Sequence, residues 1–181
     1  MSSAELSVQQ AETGELSSAL RAEIIRVCIA AHEEDDFQNL FSYIPAGGRH
    51  FLTFRGDELV SHAVVTTRWL QPEGHPLLKT AYVDAVATEP KYQGHGHSSA
   101  VMRTLAQSID DYAIACLETD IPGFYTRLGW EVWRGRLAGR ESDGQIVPTP
   151  EQTGILILRL PHTPALDLDS LLTIEIDGRV W

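Results

Sequence analysis

Thr80-Ala81-Tyr82-Val83-Asp84-Ala85-Val86-Ala87-Thr88, continuing into Glu89-Pro90-Lys91-Tyr92-Gln93-Gly94-His95-Gly96-His97, is the stretch on which the fold turns. Its first part is strongly apolar, with Asp84 as its one charge, and predicts a buried strand. Ser98 to Tyr112 then reads as a helix, with Val101, Leu105 and Ile109 at i, i+4 and i+8 and Met102 beside them. The loop between them carries Gly94 and Gly96, which let backbone N–H groups crowd toward a ligand without interference from a Cβ. A helix opened by such a loop presents free amides and the positive end of its dipole, a ready seat for phosphate. Gln93, His95, His97 and Ser98 can add donors.

Two plainer readings of this loop compete. A dinucleotide site would use Gly94-x-Gly96 with Glu118 about twenty residues on, but Ser99 stands at the third glycine position. A lone Gly-x-Gly is also often only a helix entry.

Outward from this unit, Leu6 to Gln10 predicts a first strand, and Thr13 or Ser17 can cap a helix running to about Ala31. The acidic run Glu33-Glu34-Asp35-Asp36 follows, where the helix dipole disfavours negative charge; its ordinary role would be a solvated helix end. Tyr43 to Gly48 is a turn region, and Arg49–Phe54 with Leu59–Trp69 reads as a hairpin around Arg55-Gly56-Asp57-Glu58. Ala113–Leu117 is a short buried strand, and Ile121–Leu128 a short helix with Pro122 in its first turn and Gly129 after its end. Trp130–Arg134, Ile155–Leu160 and Leu172–Ile176 supply further strands. Met1–Ala4 and the stretch Gly135–Pro150 read as loose. The expected class is α+β, one domain over residues 1–181 with a mixed central β-sheet flanked by helices.

Composition narrows the function. Hydrophobic residues make up 43% and charged residues 22%, ordinary globular usage. The net charge of −11 argues against a nucleic-acid binder and against anionic membranes, and it favours a cationic partner. The two cysteines, Cys28 and Cys116, sit in apolar patterns and fit a reducing cytosol. The start of the chain lacks signal-peptide features, and no apolar run approaches the roughly 18 residues of a membrane span, so a cytoplasmic protein is expected. The seven histidines show no metal-ligand spacing, and no metal is expected. No serine or cysteine nucleophile arrangement emerges either.

Lys91-Tyr92-Gln93-Gly94-His95-Gly96, after an apolar strand and before a helix, resembles the pyrophosphate loop of the GNAT acetyltransferases, with Lys91 departing at the first position of their Arg/Gln-x-x-Gly-x-Gly/Ala pattern. Phe124-Tyr125-Thr126-Arg127-Leu128-Gly129-Trp130 is similar to a second signature of that family. Tyr82-Val83-Asp84-Ala85-Val86-Ala87 and the ending Gly178-Arg179-Val180-Trp181 narrow the resemblance to the aminoglycoside 2′-N-acetyltransferases, whose strand carries Glu where Asp84 stands.

This resemblance implies a GNAT fold and acetyl-CoA as cosubstrate, held by Val86, Ala87, Thr88, Gln93, Gly94, His95, Gly96, His97 and Ser98. It implies Asp84 as the base that deprotonates the amine, directly or through water, the Val86 amide as oxyanion donor and Tyr125 as the acid for the leaving thiolate. The bland alternatives are a strand carboxylate paired with a basic neighbour for Asp84 and a core aromatic for Tyr125. Asp35, Asp36, Asp84, Gln152, Arg179 and the α-carboxylate of Trp181 become the candidate acceptor contacts. Arg179 would repel a polycation but would suit an acceptor that also bears a carboxylate, such as kasugamycin. The acceptor would be a small amine, by resemblance an aminoglycoside whose modification confers resistance. A different small amine, a protein N-terminus, or acyl-CoA sensing without turnover remain as alternatives. A homodimer is also in keeping with the family, with Trp69 and Trp133 as candidate contacts.

Overall fold

A computed structural model describes residues 6–181, so the expectation for Met1–Ala4 lies outside the described residues. The chain divides into two compact units. One comprises the chain through Thr66 together with Val83–Ser108, and the other comprises Thr67–Tyr82 and Ile109–Trp181. Strands β3 (Glu58–Pro72) and β4 (Leu78–Thr88) each contribute to both.

In the first unit, β1 (Val8–Glu12) pairs antiparallel with β2 (Arg49–Arg55), and β2 pairs antiparallel with β3, setting Leu52 opposite His62 and His50 opposite Val64. Helix α1 (Ser18–His32) starts where the Ser17 hydroxyl accepts from the Leu20 amide at 3.2 Å, and it stops at Glu33, whose φ of 57° is left-handed. Its buried Ile24, Val27 and Cys28 pack with Leu52, Leu59, Val64 and Ala87. Burying each large aliphatic here is worth about 1.5–3 kcal/mol, which ties the helix to the sheet. A 3-10 turn, Asp35–Asn39, leads into the short α2 (Leu40–Tyr43). Helix α3 (His97–Gln107) buries His97, Val101, Met102 and Leu105 on one face.

The second unit adds β5 (Ile114–Glu118), α4 (Pro122–Thr126), β6 (Glu131–Val132), β7 (Leu137–Arg140), β8 (Ile146–Pro148), β9 (Ile155–Arg159) and β10 (Leu172–Glu175). Its strands follow the order β6-β9-β5-β4-β3-β10-β7-β8. The β10–β7 pair is parallel, whereas β10–β3, β5–β9, β6–β9 and β7–β8 are antiparallel. The sheet is therefore mixed, as the sequence led us to expect. Its core gathers Leu70, Leu78, Tyr82, Ile114, Ile157, Leu172, Ile174 and Trp181.

Four local expectations need correction. The first strand is shifted, to Val8–Glu12. Helix α3 ends at Gln107, not Tyr112, because the Ser108 hydroxyl turns back to the Thr104 carbonyl at 2.8 Å and the chain leaves the helix before the Asp110-Asp111 pair. The stretch 135–150 is not loose: β7 and β8 pair within it, with β7 held in turn by β10. Trp133, a candidate dimer contact, is only 4% exposed and its indole donates to the Ser170 carbonyl at 2.9 Å, whereas Trp69 is 43% exposed.

Candidate active site

Strand β4 is buried from Thr80 to Val83 and again at Ala87 and Thr88, but Asp84, Ala85 and Val86 are half-buried in succession. The cause is local. Ala85 has a φ of 50°, left-handed, which interrupts the two-residue alternation of the strand. That conformation costs a non-glycine residue roughly 1–2 kcal/mol, so the surroundings must hold it. Two imidazoles grip the carbonyls here: His62 Nδ1 donates to Ala85 O at 2.8 Å, and His32 Nε2 to Val86 O at 3.0 Å. Asp84 thus stands at an interruption in an otherwise closed strand.

The loop after β4 is pinned at its base. The Glu89 amide donates to Val60 O at 2.8 Å, and the Lys91 ammonium, 2.6 Å from a Glu58 oxygen, holds that carboxyl below the usual carboxylate range. Above that base, Gly94 and Gly96 have φ of 76° and 85°, and an added Cβ would meet nothing within 4 Å at either. Gly96 is the N-cap residue of α3 and supplies no side-chain cap, so the first amides of the helix carry no such partner. Two exposed left-handed glycines opening an uncapped helix fit a diphosphate.

The side chains around the loop differ in what they offer. Gln93 Nε2 donates to Thr88 O at 3.2 Å, and His95 Nδ1 donates to Gln93 O at 2.9 Å, so both stiffen the loop itself. The Ser98 hydroxyl bonds that of Thr88, which bonds Ser61 Oγ at 2.8 Å, and Ser61 donates to Ala87 O at 2.8 Å. This hydroxyl ladder fastens the first turn of α3 to the end of β4. His97 corrects the expectation of a side-chain donor at the loop. It shares a helix face with Val101 and Leu105, and its Nδ1 meets Thr53 Oγ1 at 3.2 Å in the interior, where burial keeps the ring neutral. Only its backbone belongs to the loop.

Asp35 and Asp36 lie exposed on the 3-10 turn. Phe37 of that turn stacks on His32 at 4.9 Å between ring centroids, and His32 holds Val86 O, so the acidic turn is anchored to the interruption in β4. Apart from the aromatic next to the acids, nothing in the sequence signals that connection.

In the second unit, Tyr125 is buried on α4, edge-on to Phe124 at 4.9 Å and Trp130 at 6.2 Å. Burial first, and then the Asp120 charge, push its phenol well above the ordinary value, so it keeps its proton throughout the neutral range. The end of the chain is tethered. The Trp181 indole donates to Thr149 Oγ1 at 3.1 Å, and the ring is 8% exposed. Arg179 lies with its guanidinium 5.3 Å from the Tyr82 ring centroid.

A residue that sequence reasoning missed joins this group. Arg68, on β3, has its guanidinium 5.1 Å from the same ring, and its side chain is 6% exposed. Its Nη2 donates to Glu175 O at 2.6 Å and to Arg179 O at 3.4 Å, while Nη1 has no hydrogen-bond partner among the described residues. The signal was the one that singled out Asp84: a lone charge in an apolar strand. Gln152, by contrast, is engaged with its neighbours, donating to Glu118 Oε1 at 2.7 Å and Thr153 O at 2.9 Å. Among the described residues no cluster of three or more His, Cys, Asp or Glu could hold a metal ion, and no helix is long and apolar enough to cross a membrane.

Comparison with known proteins agrees with this geometry. The family described as acetyltransferase (GNAT) domain matches residues 8–133. An aminoglycoside 2′-N-acetyltransferase of Mycolicibacterium fortuitum is 29% identical over 176 residues, covering 93% of this chain and 89% of its own. A GNAT family N-acetyltransferase from Escherichia coli, crystallised in complex with CoA, superposes with a TM-score of 0.68 at 15% identity, covering 98% of this chain and 94% of that one. A GCN5-related N-acetyltransferase from Kribbella flavida gives a TM-score of 0.56 at 20% identity over 72% of this chain; the chain spans only 35% of its length. At such identities the solved structures speak for the fold alone.

Proposed function

This chain belongs to the GNAT acetyltransferase family, and from that premise we propose that it moves the acetyl group of acetyl-CoA onto an amine of an aminoglycoside that also carries a carboxylate, as kasugamycin does. The observation that carries the reading is the pair of left-handed glycines, Gly94 and Gly96, opening α3 just beyond the half-buried Asp84.

In this reading the diphosphate of acetyl-CoA lies on the amides of residues 93–98, with Val86, Ala87 and Thr88 beside its pantetheine arm. An ammonium has no lone pair to attack with, so Asp84 first takes its proton, directly or through a water. The freed amine adds to the thioester carbonyl, and the Val86 amide donates to the oxyanion. As the C–S bond breaks, the leaving thiolate takes a proton from Tyr125, which the raised phenol pKa keeps protonated beforehand, and the proton shed by the new amide nitrogen passes through solvent to restore the phenol. Nothing among the residues calls for an acetyl-enzyme, and direct transfer in a ternary complex is the economical path.

For the acceptor, Asp35, Asp36 and Asp84 offer negative charge to ammonium groups. Arg179 suits a carboxylate, because a guanidinium can present two parallel N–H donors to one. Gln152 and the α-carboxylate of Trp181 complete the proposed contacts. The 29% identical aminoglycoside relative supports the substrate class. The buried cysteines Cys28 and Cys116, which form no disulfide with each other, suit a reducing cytoplasm, the proposed location.

The test is thiol release from acetyl-CoA with a panel of acceptors. Turnover of kasugamycin above that of tobramycin and gentamicin is expected, and turnover of the latter two with none of kasugamycin would remove the carboxylate preference. Asp84→Asn should lower kcat by about 100-fold or more and Tyr125→Phe by about 10-fold, with acetyl-CoA affinity by calorimetry nearly unchanged. Unchanged rates in both variants would refute the assigned roles and leave acyl-CoA sensing as the better reading.

A further inference from the structure

Asp84 and Val86 owe their presentation to the left-handed Ala85 between them, and an alanine does not adopt that conformation unaided. What holds it is a chain of hydrogen bonds running through the interior of the first unit. Thr13 Oγ1 meets His50 Nε2 at 2.9 Å, His50 Nδ1 meets His62 Nε2 at 2.8 Å, and His62 Nδ1 meets the Ala85 carbonyl at 2.8 Å. Both imidazoles are fully buried. The direction of every link follows from its last acceptor. A carbonyl can only accept, so His62 carries its proton on Nδ1, and its Nε2 must accept from His50 Nδ1–H. His50 Nε2 then accepts from the Thr13 hydroxyl, whose single proton goes to it at 2.9 Å and not to the Gly48 carbonyl at 3.2 Å. A single set of neutral tautomers satisfies all three contacts, and burial, with Arg21 near His50, keeps both rings neutral.

We infer that His62, with His50 and Thr13 behind it, is a positioning residue that locks the Ala85 carbonyl and thereby fixes how Asp84 and the Val86 amide are offered to the substrates. The inference rests on the proposed roles of Asp84 and Val86. The sulfur of Cys28, 3.9 Å from Ala85 O and 4.0 Å from His62 Nδ1, closes the remaining side and admits no competing strong donor. Two histidines buried in tandem at strand positions would be an expensive way to fill a core, since apolar residues of similar volume need no polar partners. Their cost is understandable when the product is one carbonyl held in an unfavourable orientation. The neutral rings carry no charge toward the substrate, so the role is orientation and not proton transfer.

The experiment compares His62→Phe, which fills the space without a donor, with His62→Asn, whose side-chain amide can stand in for the Nδ1 donor. It uses the full chain loaded with CoA. Backbone carbon chemical shifts of Ala85, read by nuclear magnetic resonance, report its left-handed conformation. The wild-type chain and His62→Asn should keep the left-handed shifts, and His62→Phe should lose them. In thiol release, His62→Phe should lower kcat by roughly 10-fold with KM for acetyl-CoA little changed, and His62→Asn should recover most of that loss. Should His62→Phe fail to fold, Thr13→Val removes the far end of the chain and should shift the His50 and Ala85 resonances in the same sense, to a smaller extent. Left-handed Ala85 shifts persisting in His62→Phe, or in Thr13→Val with the His50 resonances unmoved, would overturn the inference, as would a lost conformation with an unchanged rate. The chemical shifts need no acceptor, so a chain that acetylates none of the panel would defeat the proposed function while this reading stayed decidable.

Discussion

A methyl group on Gly94 or Gly96 would collide with nothing, so sterics do not explain why glycine stands at either position; the left-handed φ of 76° and 85° does. An alanine forced into that region carries about 1 kcal/mol or more of strain, and the loop can shed it only by rotating its amides away from the ligand. Gly94→Ala and Gly96→Ala should therefore each weaken CoA binding by about 5-fold or more, measured by calorimetry, while the melting temperature falls only slightly. Full CoA affinity in both variants would mean that the loop amides are not the seat of the diphosphate. The same residues show how much of the site the sequence disclosed. Of the candidate site, the glycines and Asp84 were legible because each is chemically out of place, flexible where a helix begins and charged in an apolar strand, whereas Tyr125 was singled out only by the family resemblance of its segment. Arg68 is equally out of place and was passed over because no motif frames it. His50 and His62 were not legible at all, since a histidine in a strand gives no hint of what faces it across the sheet.

Elements divide along a similar line. The capped start of α1, the β2–β3 hairpin and the β4–loop–α3 order carry their instructions locally, in Ser17, in Gly56 and in periodic apolar residues, and the expectations for them hold except that α3 stops at Gln107. Strands β7 and β8 carry none: Leu137-Ala138-Gly139-Arg140 and Ile146-Val147-Pro148 are too short to show a period, and β7 owes its place to β10, more than thirty residues later in the chain. Strand β10 is therefore a keystone of its unit, paired antiparallel with β3 and parallel with β7. A charge pair reinforces it. Arg68 Nε lies 3.6 Å from Glu175 Oε1, with side-chain exposures of 6% and 26%, and another Glu175 oxygen accepts the Trp69 amide. Burial pushes the Glu175 carboxyl up, against the pull of Arg68 and Arg140, so desolvation outweighs attraction and the pair is no large net source of stability. Removing one partner is a different matter, because the other is left charged and enclosed. Glu175→Gln keeps an acceptor for Trp69 but strands the Arg68 guanidinium, and a loss of about 2 kcal/mol is expected in denaturant unfolding. A neutral result would mean that solvent already compensates Arg68.

At the scale of the whole molecule, two opposing effects act as the pH falls. The net charge of −11 means that protonation relieves self-repulsion, which favours the folded state. His50 and His62 pull the other way. Burial lowers their pKa from 6.5 to about 4 and about 3, so below 6.5 the unfolded chain binds protons that the folded chain refuses. Stability contributed by the neutral rings is thus complete above 6.5 and is lost as the pH drops toward the folded values, at up to about 1.4 kcal/mol per pH unit for each histidine. Carboxylates held low by partners, such as Glu58 beside Lys91 and Asp169 beside Arg134, lose their contribution only as the pH falls through the carboxylate range, so between 6.5 and 5 the loss comes from the buried histidines, His97 adding to it in the same sense and the raised Glu175 opposing it. Salt separates the two effects, since it screens surface repulsion and leaves buried imidazoles nearly untouched. We expect the melting temperature to fall between pH 7 and pH 5, and to fall more steeply in high salt, where screening removes the stabilising relief of surface repulsion and leaves the histidine effect exposed. A double variant, His50→Gln with His62→Asn, should flatten the high-salt curve across that window. If the wild-type curve in high salt is already flat, the two rings are not held neutral in the folded chain, and the tautomer assignment that aims His62 at Ala85 falls with it.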